Sequence, residues 1–238
     1  MNRTLIVAFL RQRVLSPVRM VLFLLTFGFP LLLVAFLPGA ALTFLGNNTA
    51  NFALILGAGM IGQDHSAGVL QLLFARPVTR SEYVLSRWLA AAGSAAAVVL
   101  AQVALGWALT SLRGQDLGVR EVALFAGENA LLAVGVASVL ALFSALMPSI
   151  ADLALYLMVS ILGGIFQLLA QALRPAALYS RVGDEIGRFL SPRIDLTAAF
   201  GGHAIPWFSI ASYFSTVTLC LALAIVVVNR KELSYASG

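Results

Sequence analysis

The feature that most restricts this chain is a set of apolar runs about as long as a bilayer is thick. A hydrocarbon core about 30 Å deep takes around 20 apolar residues of helix. Runs of that kind are read at residues 18–37, 45–63, 83–112, 122–147, 150–171 and 207–228. The second is the shortest clean run and starts just after Asn47 and Asn48. It is kept because an odd number of spans would leave the termini on opposite sides. Composition agrees: 11% of residues are charged and 61% are hydrophobic, against roughly 25% and about 45 to 50% in a soluble domain. The expected fold is therefore an all-α integral membrane protein of six transmembrane helices, forming one transmembrane domain over residues 1–238.

Charge narrows the function. The formal net charge of +5 comes from arginine, since the only lysine is Lys231. A P-loop needs a lysine after a glycine-rich turn to reach nucleotide phosphates, and no such turn precedes Lys231. ATP chemistry is thus expected on another chain, and this chain is not read as an enzyme. The arginines sit at the ends of apolar runs instead of forming a stripe, so nucleic acid is not an expected partner. Arg3, Arg11, Arg13, Arg19, Arg76, Arg80, Arg87, Arg230 and Lys231 fall on one face of a six-span layout, and Arg113, Arg120, Arg174, Arg181, Arg188 and Arg193 on the other. That bias places both termini in the cytoplasm.

Outside the spans, residues 1–17 read as an interfacial helix with Ile6, Leu10 and Val14 on one stripe. The long apolar run that follows, and the further spans after it, argue against a cleaved secretory signal. The outer loop 172–206 is too short for an independent domain. Within it, "RVGDEIGRFL" predicts a small helix lying in the outer interface. Cys220 is the only cysteine, so no disulfide within the chain is possible. His65 and His203 fall on opposite faces of the layout and have no cysteine or carboxylate cluster beside them, so no metal site is expected.

The segment "QDHSAGVLQLLFARPVTRSE" interrupts the greasy pattern between the second and third runs. Its apolar residues Val69, Leu70, Leu72, Leu73 and Phe74 predict a short helix that Asp64 or Ser66 starts and Pro77 stops. Thr79 and Glu82 then stand at the spacing of a capping box for the third run. The spacing predicts helix, stop, helix at the cytoplasmic surface.

"GVLQLLFARPVTRSEYVLSRW" resembles the segment G-T-L-E-x-L-L-x-x-P-V-S-R-x-x-x-x-x-G-K found after the second span in permease subunits of type-2 ABC exporters. Gly68, Leu70, Leu73, Pro77, Val78, Thr79 and Arg80 fall on its positions, and the closing "NRKEL" is similar to the basic tail of such subunits. The chain departs from the pattern at Gln63 and His65, at Val69, and at Ser86 with Arg87. The resemblance implies a coupling helix at 64–80 that docks on a separate ATPase, with Asp64, His65, Gly68, Leu70, Leu73, Phe74, Arg76, Pro77 and Arg80 as docking residues. It also implies a second permease copy, ATP and Mg on the partner subunit, and a prokaryotic cytoplasmic membrane. Family members line their path with the second and fifth spans, which points to Gly57, Gly59, Gly163, Phe166 and Gln167. Glu128, an ionisable group inside the fourth run, joins them as a candidate, or else pairs structurally with Arg113, Arg120 or a neighbouring helix. The few polar groups in the spans suit a lipid-like or amphiphilic cargo. The alternatives are a secondary transporter, which calls for broken helices around ion-binding groups, and a non-transporting scaffold. An intramembrane protease would need a nucleophile–base pair or clustered metal ligands within the spans, and none is evident.

Overall fold

A bilayer offers a backbone no hydrogen-bond partners, so a chain this apolar must pair its amides and carbonyls internally. In the computed structural model, which describes residues 17–37, 43–46, 48–66, 68, 79–115, 117–173, 176–200 and 206–230, helices are the only regular structure among the described residues. In chain order they are α1 (Pro17–Phe36), α2 (Thr43–Gly46), α3 (Thr49–Gly57), α4 (Gly62–Ser66), α5 (Arg80–Leu112), α6 (Val119–Leu146), α7 (Ala151–Ala172), α8 (Ala176–Leu190), α9 (Leu196–Phe200) and α10 (Trp207–Arg230). Five of them, α1, α5, α6, α7 and α10, are long and apolar enough to cross a membrane, the pattern of a multi-pass membrane protein.

Helix α6 is the axis. Ala133, Ala137, Ala141 and Ala145 recur every fourth residue and are fully buried, so neighbouring backbones approach closely along that edge. α3, α5, α7 and α10 all pack against it. By contrast α1 and α7 leave most of their large side chains exposed, among them Leu25, Phe29, Met158 and Ile161, as helices facing lipid do. The capping box at the head of α5 forms as expected. Thr79 Oγ1 accepts from the Glu82 amide at 3.3 Å, and Glu82 Oε2 accepts from the Thr79 amide at 3.4 Å.

The expected second span is not one helix. Residues 45–63 divide into α2, α3 and α4, with the chain turning at residues 58–61. Glycines at 57, 59 and 62 lower the cost of leaving the helix. The broken segment nonetheless follows α6 over a long distance. Gly46 lies against Phe125 and Asn129, whereas the Ile61 amide reaches Ser144. Fifteen residues of α6 separate Asn129 from Ser144, a rise of about 22 Å.

A second correction concerns the outer loop. α8 does not lie flat at an interface; it stands antiparallel to α7. Tyr179 stacks on Phe166, Gly183 packs on Gln167 and Ile186 on Gly163, and Tyr156 donates to the Leu190 carbonyl at 3.3 Å. Pro192 then rests on Gly135, near the middle of α6. From there the chain climbs back along α6, through Thr197 at Glu128 to Phe200 at Arg120. Residues 176–200 thus run down along α7 and return along α6.

Arginines close helix ends. Arg113 donates to the Val34 and Leu37 carbonyls at the end of α1, at 2.9 and 3.2 Å. Arg80 reaches Val228 and Asn229 at the end of α10, at 3.0 and 2.7 Å, and Arg120 bonds Phe200 at the end of α9. Each supplies a donor to carbonyls that have no partner within their own helix and places positive charge at the negative end of its dipole.

Gln102 repairs a different gap. Pro30 stands inside α1 and has no amide to give the Thr26 carbonyl. Buried Gln102 of α5 donates instead, to Thr26 at 3.1 Å and Phe27 at 2.9 Å. Gln102→Leu strands the Thr26 carbonyl and should lower stability by about 1 to 3 kcal/mol. Adding Pro30→Ala restores the missing amide, so thermal unfolding of the double variant should recover much of the loss. Additive losses would contradict this assignment.

Candidate functional site

Two polar regions stand out in an otherwise apolar bundle. The first lies at the end of the molecule where α1 begins, here the near end, around the break in the second segment. At residues 58–61 the helical ladder stops and its backbone groups need partners from elsewhere. The corner between α6 and α7 supplies them. The Gly59 amide donates to Asp152 Oδ2 at 2.5 Å, and the amides of Ile61 and Gly62 share Ser144 Oγ at 3.0 Å each. The Ser149 amide returns a bond to the Gly62 carbonyl at 2.9 Å, and Arg19 of α1 reaches the Ala58 carbonyl at 3.3 Å.

Glycine is required at both ends of this turn. Gly59 has φ +68°, a left-handed value that side chains disfavour. A Cβ on Gly62 would stand 2.5 Å from the Ser149 carbonyl oxygen and 2.6 Å from that of Met147. Asp152, which stands fully buried, also accepts from the Leu153 amide at 2.9 Å.

One turn later Asp64 faces inward. It is 7% exposed, accepts from Tyr83 Oη at 2.5 Å, and forms an ion pair with the buried Arg87 guanidinium. That guanidinium lies over the Tyr83 ring, 5.4 Å from its centroid. This corrects the sequence reading on two counts. Asp64 sits within α4 instead of starting a helix, and its carboxylate ties α4 to α5 instead of facing a docking partner. Arg80 likewise spends its guanidinium on the end of α10. His65 and Gly68 are exposed. Leu70, Leu73, Phe74, Arg76 and Pro77 lie outside the described residues.

The second region is a cleft of about 880 Å³ bounded by α7, α8, the turn that follows α8, and α10. α7 contributes Ser160, Gly163 and Gln167 from one face, and α10 contributes Ser209, Ser212 and Thr216 from the face opposite. α8 adds Asp184, Glu185 and Arg188, and the turn adds Arg193. Gln167 donates to Asp184 Oδ1 at 2.8 Å, and Arg188 pairs with Glu185 at 3.2 Å.

The residues expected to line a path divide here. Gly163 and Gln167 border the cleft. Phe166 packs on Tyr179 instead. Gly57 is buried against Leu140, Gly59 belongs to the break, and neither reaches the cleft. Glu128 is at neither region: its Oε1 accepts from the Thr197 amide at 2.8 Å and from Thr197 Oγ1 at 3.0 Å, holding the first turn of α9. Its partner is thus a neighbouring helix; Arg113 and Arg120 are engaged at helix ends.

Sequence reasoning missed Ser144, Arg193 and the hydroxyls of α10. The last had a signal, because Ser209, Ser212 and Thr216 recur at helical spacing in a membrane-length run. Ser144 had none, since its partners are amides more than 80 residues away in sequence. Among the described residues no group of three His, Cys, Asp or Glu side chains is placed to hold a metal ion. The chain matches no protein-family model and no curated protein.

The break yields a direct test. Gly62→Ala forces a Cβ against two backbone carbonyls that cannot rotate away, and should cost about 1 to 3 kcal/mol. Gly164→Ala, with nothing within 4 Å of the added methyl, should cost nothing measurable. Equal melting temperatures for the two variants would mean that the α6–α7 corner does not press on the break.

Proposed function

We propose that this chain is the membrane-spanning permease subunit of an ATP-driven exporter, working with a separate ATPase and a second permease copy to move an amphiphilic substrate. ATP and Mg belong to the partner. On this reading the broken segment α2–α4 is the sixth crossing, and both termini lie in the cytoplasm of a prokaryotic cell. The observation that carries the proposal is the tie that Asp64 and Arg87 make between α4 and α5, the helices on either side in sequence of residues 69–78, whose sequence resembles a coupling helix. Those residues join α4 to the capped start of α5. A push on that segment would therefore reach α5 directly, and α6, α7 and α1 through the break held by Ser144, Asp152 and Arg19.

A second reading, a secondary transporter, has one specific observation in its favour. A helix broken in the membrane beside buried carboxylates is the architecture such transporters use for ion sites. Against it, both carboxylates are already compensated. Asp64 has Arg87 and Tyr83, and Asp152 has the Gly59 and Leu153 amides.

Affinity purification of the full chain from its native membrane should bring down a P-loop ATPase, identified by mass spectrometry, and transport in vesicles should follow ATP. Leu73→Asp or Phe74→Asp should abolish that association, since burying such a side chain is worth roughly 1.5 to 3 kcal/mol. Arg76→Ala should be milder, because an exposed ion pair contributes about 0 to 1 kcal/mol. Transport driven by an ion gradient without ATP would reject the proposal in favour of the second reading. For topology, single cysteines at Leu37 and Gly68, which flank the broken segment and are exposed, should react in a Cys220→Ser background with an impermeant thiol reagent from opposite sides. Labelling from the same side would reject the six-crossing arrangement.

A further inference from the structure

The cleft between α7 and α10 is lined by the charged side chains Asp184, Glu185, Arg188 and Arg193. Arg193 directly follows Pro192, which packs on Gly135 near the middle of α6. Its own carbonyl accepts from Ser209 of α10 at 3.3 Å. The Arg193 side chain is exposed and, among the described residues, has no hydrogen bond or ion pair. The other charged groups of the cleft are engaged: Asp184 with Gln167, and Glu185 with Arg188. An exposed guanidinium beside the first turn of α10, with no intramolecular partner among the described residues, is open to water or to an anion.

The walls add hydrogen bonding without charge. Ser160 of α7 and Ser212 of α10 both border the cleft and are exposed, and neither hydroxyl has an intramolecular partner among the described residues. Phe208 of α10 also lines the cleft, and beside it the same helices expose Ile161 and Leu168 on α7 and Phe214 on α10. A polar recess whose Arg193 guanidinium and Ser160 and Ser212 hydroxyls have no partner among the described residues, opening between greasy helix faces, matches an amphiphile with an anionic, hydrogen-bonding head and hydrocarbon tails.

We infer that the cleft binds the phosphate headgroup of a membrane lipid, with Arg193 on the phosphate, Ser160 and Ser212 on headgroup oxygens, and the acyl chains along the outer faces of α7 and α10. Guanidinium–phosphate contacts are the strong, charge-assisted kind. The inference rests on the transport reading above and names its substrate class.

The test is native mass spectrometry of the purified full chain, exposed in turn to phosphatidylglycerol, to diacylglycerol with the same chains, and to glycerol phosphate. Phosphatidylglycerol should be retained, and diacylglycerol and glycerol phosphate should not. Arg193→Gln should weaken retention by roughly tenfold or more, the usual weight of a hydrogen bond to a charged group, and Arg193→Lys should fall between. Retention of diacylglycerol equal to that of phosphatidylglycerol would reduce the cleft to an apolar groove. Effective competition by glycerol phosphate would make it a site for a soluble anion. Unchanged retention by Arg193→Gln would remove the arginine from the site. Each of these outcomes overturns the inference, and the arms on the unmodified chain do so even if a variant fails to fold. No ATPase is present in this measurement, so its failure is separate from a failure to find the ATPase partner.

Discussion

The structure depends on pairing backbone groups in a solvent that offers them nothing. Within a helix the pairing is automatic, but this chain loses one helical bond at Pro30 and leaves its helices at residues 58–61 and at the turn after α8. An unmet amide or carbonyl in hydrocarbon costs several kcal/mol. Each departure is met by a side chain brought from elsewhere. Gln102 serves the carbonyls near Pro30, Ser144 and Asp152 serve the amides of the break, and Tyr156 serves the Leu190 carbonyl. Buried polar residues are few among the described residues, and Gln102, Ser144 and Asp152 are spent in this way.

The same economy governs charge. An ion pair in a low-dielectric interior recovers its desolvation cost only with good geometry, and removing one partner is expensive. Asp64 and Arg87 are each under a tenth exposed, and Tyr83 adds a hydrogen bond to the same carboxylate oxygen. Such a cluster does more to fix the placement of α4 against α5 than to raise total stability. The arginines at the helix ends work at lower cost. Arg80 and Arg113 use their guanidinium groups on carbonyls that would otherwise face headgroups or water. Their positions therefore follow from helix capping as well as from the charge asymmetry of a membrane.

These arrangements give the bundle one tightly tied end and one open flank. At the near end α1, α3, α4, α5 and the α6–α7 corner are joined through Arg19, Asp64, Arg87, Ser144 and Asp152. Along the flank, α7 and α10 are held apart by the descending and returning stretch 176–200, and polar side chains line the space between them. A protein that converts movement at one surface into movement of a solute needs both features: stiffness where force enters and a cavity where cargo sits. Their coexistence in one chain is the structural support for the transport reading.

Much of this was legible in the sequence. Apolar run length alone marks the helices now seen as α1, α5, α6, α7 and α10, because bilayer thickness dictates it. Thr79 and Glu82 announce the start of α5, because a capping box is local, its partners three residues apart. The division of residues 45–63 was not legible. Its glycines permit a break, but the reason it is stable lies in Ser144, Ser149 and Asp152, more than 80 residues later. The descent of α8 was equally hidden, since an amphipathic helix reads the same whether its polar side meets headgroups or a cleft. Asp64 looked like a surface residue because its partners, Tyr83 and Arg87, declare themselves only when α4 folds back on α5. What the sequence determined by itself were the features set by the solvent and by neighbours within one helical turn. What only the tertiary structure decided was where polar atoms find partners across the bundle, because in hydrocarbon that choice belongs to whichever helix packs alongside.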